Sequence, residues 1–217
     1  KVAEPKQAFQ KPVFIGEFGW IAEMMRQFDD IGIHLHEGLW SSRMGGAAGG
    51  ALIWYWDVYV HPNHLERHFK AAEAFWRGEQ LGRHLSRLEL SCSSTDLAGM
   101  GIGSPERMFL WIKNRRHSLD RYVAYRCALA KQRLRRARGQ PEEVVTYAEE
   151  AVRGATATVR GLGWLGRYRV EWWDPYEGKI AARAVGRSRW GALTVAVPDV
   201  RFDLAAKLIK LQWWERG

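Results

Sequence analysis

The residues best suited to chemistry stand at the ends of two short apolar runs. Val13, Phe14 and Ile15 are followed by Gly16, Glu17, Phe18 and Gly19. Such a run fits a strand buried on both faces of a parallel sheet, and Pro12 suits its first residue, where a missing N–H costs little. A carboxylate directly after it belongs at the mouth of the sheet, where α/β enzymes carry their chemistry, and the flanking glycines let a substrate or a second backbone come close. The second run, Gly49 to Asp57, ends in Trp54-Tyr55-Trp56-Asp57, an aromatic cluster closed by another carboxylate. By the two-residue period Trp54 shares the facing of Trp56 but lies one layer deeper, as core. His34, His36, His61 and His64 crowd the same region, but no zinc-like spacing with a carboxylate stands out, and no metal or cofactor is expected.

Helices are needed to position these groups. Leu35, Leu39 and Trp40 recur on one helical face, so the spacing predicts a helix over Ile33 to Met44. A second helix is expected over His64 to Arg77, with Leu65, Phe69, Ala72 and Trp76 on its stripe. Residues 11–80 thus read β-α-β-α, with both strands feeding one rim through a right-handed connection, after a polar lead-in over 1–10.

The pattern then changes. A linker is expected around Gly82 to Arg87, and Cys92 to Gly103 is rich in Ser, Gly and Thr with no helical period. Met108 to Ile112 reads as a strand. Ser118 to Arg153 reads as helix, with Tyr122, Tyr125 and Leu129 on one face, Arg126, Arg133 and Arg136 toward water, and a second helix start at Pro141-Glu142-Glu143. Strands follow over Ala155 to Arg160, Gly166 to Asp174, Ile180 to Val185 and Leu193 to Pro198. Asp203 to Ile209 fits a strand or a short helix. Repeated short strands with turn signals suggest a β-sandwich over 86–217, interrupted by the helical insertion of about 118–153.

The 217 residues carry 33 Lys and Arg against 24 Asp and Glu, a net charge of +9. That balance fits a solvated basic surface or an anionic partner, with nucleic-acid binding by the Arg-rich insertion the weakest reading. The 12 tryptophans suit sugar-binding clefts and β-sheet cores, since an indole offers a flat apolar face and one donor. Cys92 and Cys127 leave open one disulfide or two buried thiols. No apolar run reaches the roughly 20 residues that span a bilayer.

"KPVFIGEFG" followed by "GIHLHEGLWSSRMGGAAGGALIWYWDVYV" resembles the last two strand–helix units of a clan A glycoside hydrolase of the family 5 cellulase-like type. "YRVEWWDPYEGKI" with "ALTVAVPDV" resembles the small β-sandwich that trails many such barrels, although the basic helical segment departs from it. The resemblance implies that residues 1–85 are the C-terminal part of a TIM (β/α)8 barrel and that Glu17 is the nucleophile of a retaining hydrolase of β-linked polysaccharide or oligosaccharide. Trp56 then matches the sugar platform, and His36, Trp20 and Trp40 are expected to bind substrate. The partner carboxylate of such a site usually follows an asparagine, but Asn63 and Asn114 precede His64 and Arg115. The acid/base is therefore expected on a barrel segment preceding this chain, which would otherwise be inactive. The competing class is a non-catalytic carbohydrate-binding or adhesion sandwich with a barrel remnant.

Overall fold

The structure is a computed structural model that describes residues 11–79, 85–141, 144–147, 150–212 and 214. The polar lead-in over 1–10, the first half of the linker at 82–84, and Glu142-Glu143 of the anticipated second helix start lie outside the described residues. Beyond that start, 144–147 is irregular.

The first part is mainly helical: α1 (Ala22–Phe28), α2 (Ile33–Met44), a π-helical turn at Trp56–Val60, and α3 (Glu66–Trp76). The α2 bounds agree with the spacing of its apolar residues, and Leu35, Leu39 and Trp40 are all buried. On α3 the buried face is Leu65, His68, Ala71, Phe75 and Trp76, rotated from the anticipated stripe because a histidine sits at its centre. The anticipated buried strand over Val13–Ile15 does not form. The chain there is extended, Phe14 is exposed, and its hydrogen bonds go to one side only.

The second part is one mostly antiparallel sheet: β1 (Ser86–Arg87), β2 (Glu89–Cys92), β3 (Leu97–Gly103), β4 (Arg107–Asn114), β5 (Thr156–Arg160), β6 (Leu165–Asp174), β7 (Lys179–Arg189), β8 (Ala192–Ala196) and β9 (Asp203–Leu211). Their spatial order is β1-β3-β4-β9-β6-β7-β8-β5-β2. The ends of that order are consecutive in sequence: β1 pairs with β3, and β2, one residue later, pairs with β5. Leu88, between them, donates its N–H to Gly101 O at 2.9 Å. The sheet therefore curls into a nearly closed barrel instead of the anticipated two-layered sandwich. Its weakest seam is β7–β8, where the only register pair is Arg189 with Ala192.

The barrel interior is filled by Met108, Leu110 and Ile112 of β4, Tyr168, Val170 and Trp172 of β6, and Leu193, Val195, Leu204 and Leu208. Burying an aromatic such as Trp172 is worth about 2–3 kcal/mol. β9 has its outer face covered as well: Ala205 and Lys207 are buried along with Leu204, Ala206 and Leu208. Burial on both faces erases the two-residue alternation, which is why strand and helix could not be told apart there.

The outer face of β3, β4 and β9 receives the helices. Ile102, Phe109, Trp111 and Ala205 share one apolar cluster with Leu35, Leu39, Trp40, Tyr59, Phe75 and Trp76. Gly178, in the β6–β7 turn with φ +64°, sits so close that a Cβ there would stand 2.8 Å from the Ala71 Cα on α3. Charges pin the same contact. Glu79 accepts from Arg107 at 2.5 and 2.6 Å and from the buried Lys207 at 2.6 Å, while the Lys207 ammonium lies over Trp173 at 4.7 Å.

The helix of the anticipated insertion is α4 (Leu119–Ala137), between β4 and β5. Ser118 caps it, accepting from Arg121 N, and Tyr122 docks it by donating to Asp30 at 2.8 Å. From Ala130 onward nearly every residue is exposed. Cys92 and Cys127 are both free, half-buried thiols.

Candidate functional site

Glu17 lies on a short parallel ribbon. Ala48 N donates to Val13 O at 2.9 Å, Leu52 N to Ile15 O at 3.1 Å, Phe18 N to Leu52 O at 3.0 Å, and Trp54 N to Phe18 O at 3.0 Å. Phe18 and Ile53 form a single parallel bridge. The pairing and its direction are therefore those anticipated, although the ribbon is too irregular to count as strands. Successive side chains point to opposite faces. Phe18 and Ile53 turn toward the helices, where the Phe18 ring closes on Gly38 of α2. Glu17, Leu52 and Trp54 are exposed, as the opposite parity requires.

Glu17 has no hydrogen bond or ion pair to a described residue. Trp56, at the start of the π-helical turn, is 67% exposed, and Trp20 follows Glu17 at 38% exposure. Trp54 is 58% exposed and so is not the core residue anticipated. Its facing was legible from period two, but not that its side of the ribbon is uncovered. Asp57 is exposed and accepts from the neighbouring Val58 N at 2.9 Å.

His36 and Trp40 are elsewhere. Trp40 is fully buried between α2 and α3, its ring edge-on to Phe75 at 5.0 Å, and cannot meet a ligand. His36 is 1% exposed in the seam between α2 and the barrel. Its Nε2 is 2.7 Å from Asp203 Oδ2, and its Nδ1 is 3.1 Å from His68 Nδ1. His68 Nε2 in turn lies 3.0 Å from Ile31 O. These three bonds engage both nitrogens of each ring. Burial, with the neighbouring His36, pushes the His68 pKa down to about 3. Asp203 Oδ2 also accepts from Trp111 Nε1 at 2.6 Å, and Tyr176 stacks on His36 at 4.1 Å.

His117 continues the seam. Tyr147 OH lies 2.8 Å from its Nδ1, and its Nε2 lies 3.2 Å from Tyr176 OH. Burial lowers its pKa to about 4. No water-sized space exists among Ile33, His36, Trp111, His117, Tyr176 and Asp203. This His-Asp-Tyr set therefore docks α2 onto β4 and β9.

Asp29 is a second buried acid in structural use. Its carboxylate accepts from Ile33 N and His34 N at 2.8 Å each, satisfying the start of α2, and from Tyr59 OH at 2.7 Å. Burial still raises its pKa to about 6. Sequence reasoning missed Asp29, His68, Tyr176 and Asp203, because their partners are up to 167 positions apart along the chain.

Among the described residues no group of His, Cys, Asp and Glu could hold a metal ion. A groove of about 380 Å³ lies between α2 and α3, lined by Leu39, Leu52, Phe69 and Trp76 among others, and Glu17 does not line it.

No family model matches the chain, and no curated protein matches it. Among solved structures, the chain is similar to a GH30 endoxylanase from Clostridium papyrosolvens C71, with 11% identity and a TM-score of 0.44. That match covers 96% of this chain, and the chain spans 44% of the length of the endoxylanase.

Proposed function

We propose that this chain is part of a retaining glycoside hydrolase that cleaves β-linked polysaccharide or oligosaccharide, with Glu17 as its nucleophile. The observation that carries the reading is a carboxylate with no partner among the described residues, on an exposed ribbon that also carries the exposed indole Trp54 and leads into Trp56. Asp29, by contrast, is a buried acid committed to hydrogen bonds. Glu17 is free to attack an anomeric carbon. Trp56, with Trp54 and Trp20, offers apolar ring faces to a sugar.

In this reading residues 1–85 belong to a TIM barrel, and residues 86–217 to the module that trails it. The acid/base comes from a preceding barrel segment, whose strands also cover Phe14, Leu52 and Trp54. Retention needs that second carboxyl about 5–5.5 Å from Glu17. No cofactor enters the chemistry.

The test is Glu17→Gln in the full-length protein. The amide keeps the shape but cannot attack, so reducing-sugar release from β-glucan, mannan or xylan should fall by at least about 10³-fold while affinity for the same glycan stays within about twofold. Turnover unchanged by Glu17→Gln removes the nucleophile assignment. A second reading, a non-catalytic carbohydrate-binding module, follows from the same exposed indoles, and is favoured if the wild-type protein binds these glycans without cleaving them.

A further inference from the structure

A second exposed aromatic site lies at one end of the barrel, on elements that hold none of the ribbon residues. Trp164 precedes β6 and is 67% exposed; Trp190 follows β7 and is 78% exposed. Their ring centroids are 5.0 Å apart with planes inclined at 51°. The loops that carry them are tied together: Leu162 N donates to Gly191 O at 3.0 Å, and Ser188 Oγ to Gly163 O at 3.3 Å.

Trp190 has φ +54° and Gly191 φ +77°, a two-residue hairpin turn in which both positions are left-handed. Asn or Gly is the ordinary occupant of its first position, and an indole there costs roughly 1–2 kcal/mol. The strain holds a large apolar ring in water, where it gains nothing from burial.

Beyond the pair, the outer face of the β6–β7 ladder is basic. Leu165 stands opposite Arg189, and Arg167 directly opposite Arg187. Like charges facing each other across a ladder cost stability. Neither Arg187 nor Arg189 has a carboxylate partner among the described residues. Rungs on one face of a strand repeat about every 6.6 Å, so two arginine rungs lie within roughly 7–14 Å of the indoles.

We infer that Trp164 and Trp190 with Arg187 and Arg189 form a non-catalytic binding site for a carboxylate-bearing polysaccharide chain. One sugar ring seats against the tilted indole pair, and the guanidinium forks take carboxylates on the units that follow along the strands. Two fixed ring faces flanked by bidentate donors suit a linear sugar polymer better than a lipid surface, which would be met by a broader aliphatic face than Leu165 alone. The inference shares its ligand class with the proposed function, and rests on that reading for nothing else.

The test compares one backbone with and without charge: binding of the protein to carboxymethylcellulose and to hydroxyethylcellulose, in 0.15 M and about 0.5 M salt. Carboxymethylcellulose should bind at least about tenfold more tightly. W164A and W190N should each weaken both ligands roughly tenfold. R187Q with R189Q should bring the acidic polymer down to the neutral one. Asn tolerates a left-handed backbone, so W190N should keep or raise Tm; it also leaves the charge unchanged, so its loss of binding is not electrostatic. W56A lowers binding at the ribbon without removing the preference for the acidic polymer, whereas R187Q with R189Q removes that preference, which separates the two sites: failure of the nucleophile assignment leaves these outcomes unchanged. Affinity unchanged in W190N overturns the site, as does a W190N protein that melts lower yet binds normally. So does tryptophan-dependent binding to phosphatidylglycerol vesicles with no binding to either polymer.

Discussion

The seam between α2 and the barrel and the ribbon at Glu17 both collect residue types that do chemistry, and they use them in opposite ways. In the seam, His36, His68, His117, Asp203 and Tyr176 are buried and bonded to one another, with no space for a water. On the ribbon, Glu17 has no partner among the described residues, and Trp54 and Trp56 face solvent. A histidine beside an aspartate at 2.7 Å has the makings of a general base, yet here it has nothing to act on. Residue type and proximity therefore do not separate catalysis from structure in this protein. Access and spare hydrogen-bonding capacity do.

The comparison is sharpened most by removing the acid of the seam. Asp203→Ala leaves His36 Nε2 and the Trp111 N–H without their buried partner, and breaking a buried pair in this way costs about 3–5 kcal/mol. For a chain of this length that is a fall in Tm of roughly 6–20 °C. Differential scanning calorimetry measures it, and a shift below about 2 °C would mean that the seam is not holding the helices to the barrel.

The next effect is pH dependence. His68 and His117 have folded pKa values lowered to about 3 and about 4 by burial, so between those values and 6.5 the unfolded chain binds two protons that the native state refuses. Stability from this source is present above pH 6.5 and is lost as pH falls. Asp29 works the other way: with its pKa raised from 3.8 to about 6, the native state holds a proton that the unfolded chain has released. Its contribution is lost as pH rises through that window. Two protons against one leave a net loss of stability on acidification from about pH 6 to pH 4.5, near 1.4 kcal/mol per unit. Urea melts across that range give the slope. His117→Gln removes one of the two opposing protons and should bring the slope close to zero, and a wild-type slope already flat would contradict the burial of these rings.

How much of this was legible in the sequence follows from the range of the forces involved. The α2 helix could be read because Leu35, Leu39 and Trp40 repeat at a helical period. The β6–β7 hairpin could be read because turn residues and alternation are local, and Trp172 faces the core as period two requires. Barrel closure could not, because Ser86 to Cys92 supplies two strands that pair with opposite ends of the sheet, and nothing in seven residues announces both partners. β3 was hidden by its composition, since Gly99, Gly101 and Gly103 leave little side-chain pattern to read. Glu17 and Trp56 were found from a strand-end pattern and a resemblance. Assigning His36 and Trp40 to a cleft failed because the fold places a barrel and a second helix over that face of α2.

The smallest expected effect bears on the open side of the comparison. Glu17→Gln and Trp56→Ala remove groups that give the native state nothing that water does not also give the unfolded chain. Glu17 has no bond to a described residue to lose, and an indole 67% exposed surrenders little buried area when truncated. Surface changes of this kind stay within about 0.5 kcal/mol, so both variants should melt within roughly 2 °C of wild type. Their glycan phenotypes should nevertheless differ: Trp56→Ala weakens binding, while Glu17→Gln spares it and ends turnover. A Trp56→Ala protein that melts many degrees lower would mean that the indole is packed in solution against another part of the protein. Trp56 would then belong with the buried seam, and Trp54 alone would remain beside Glu17 on the open face of the ribbon.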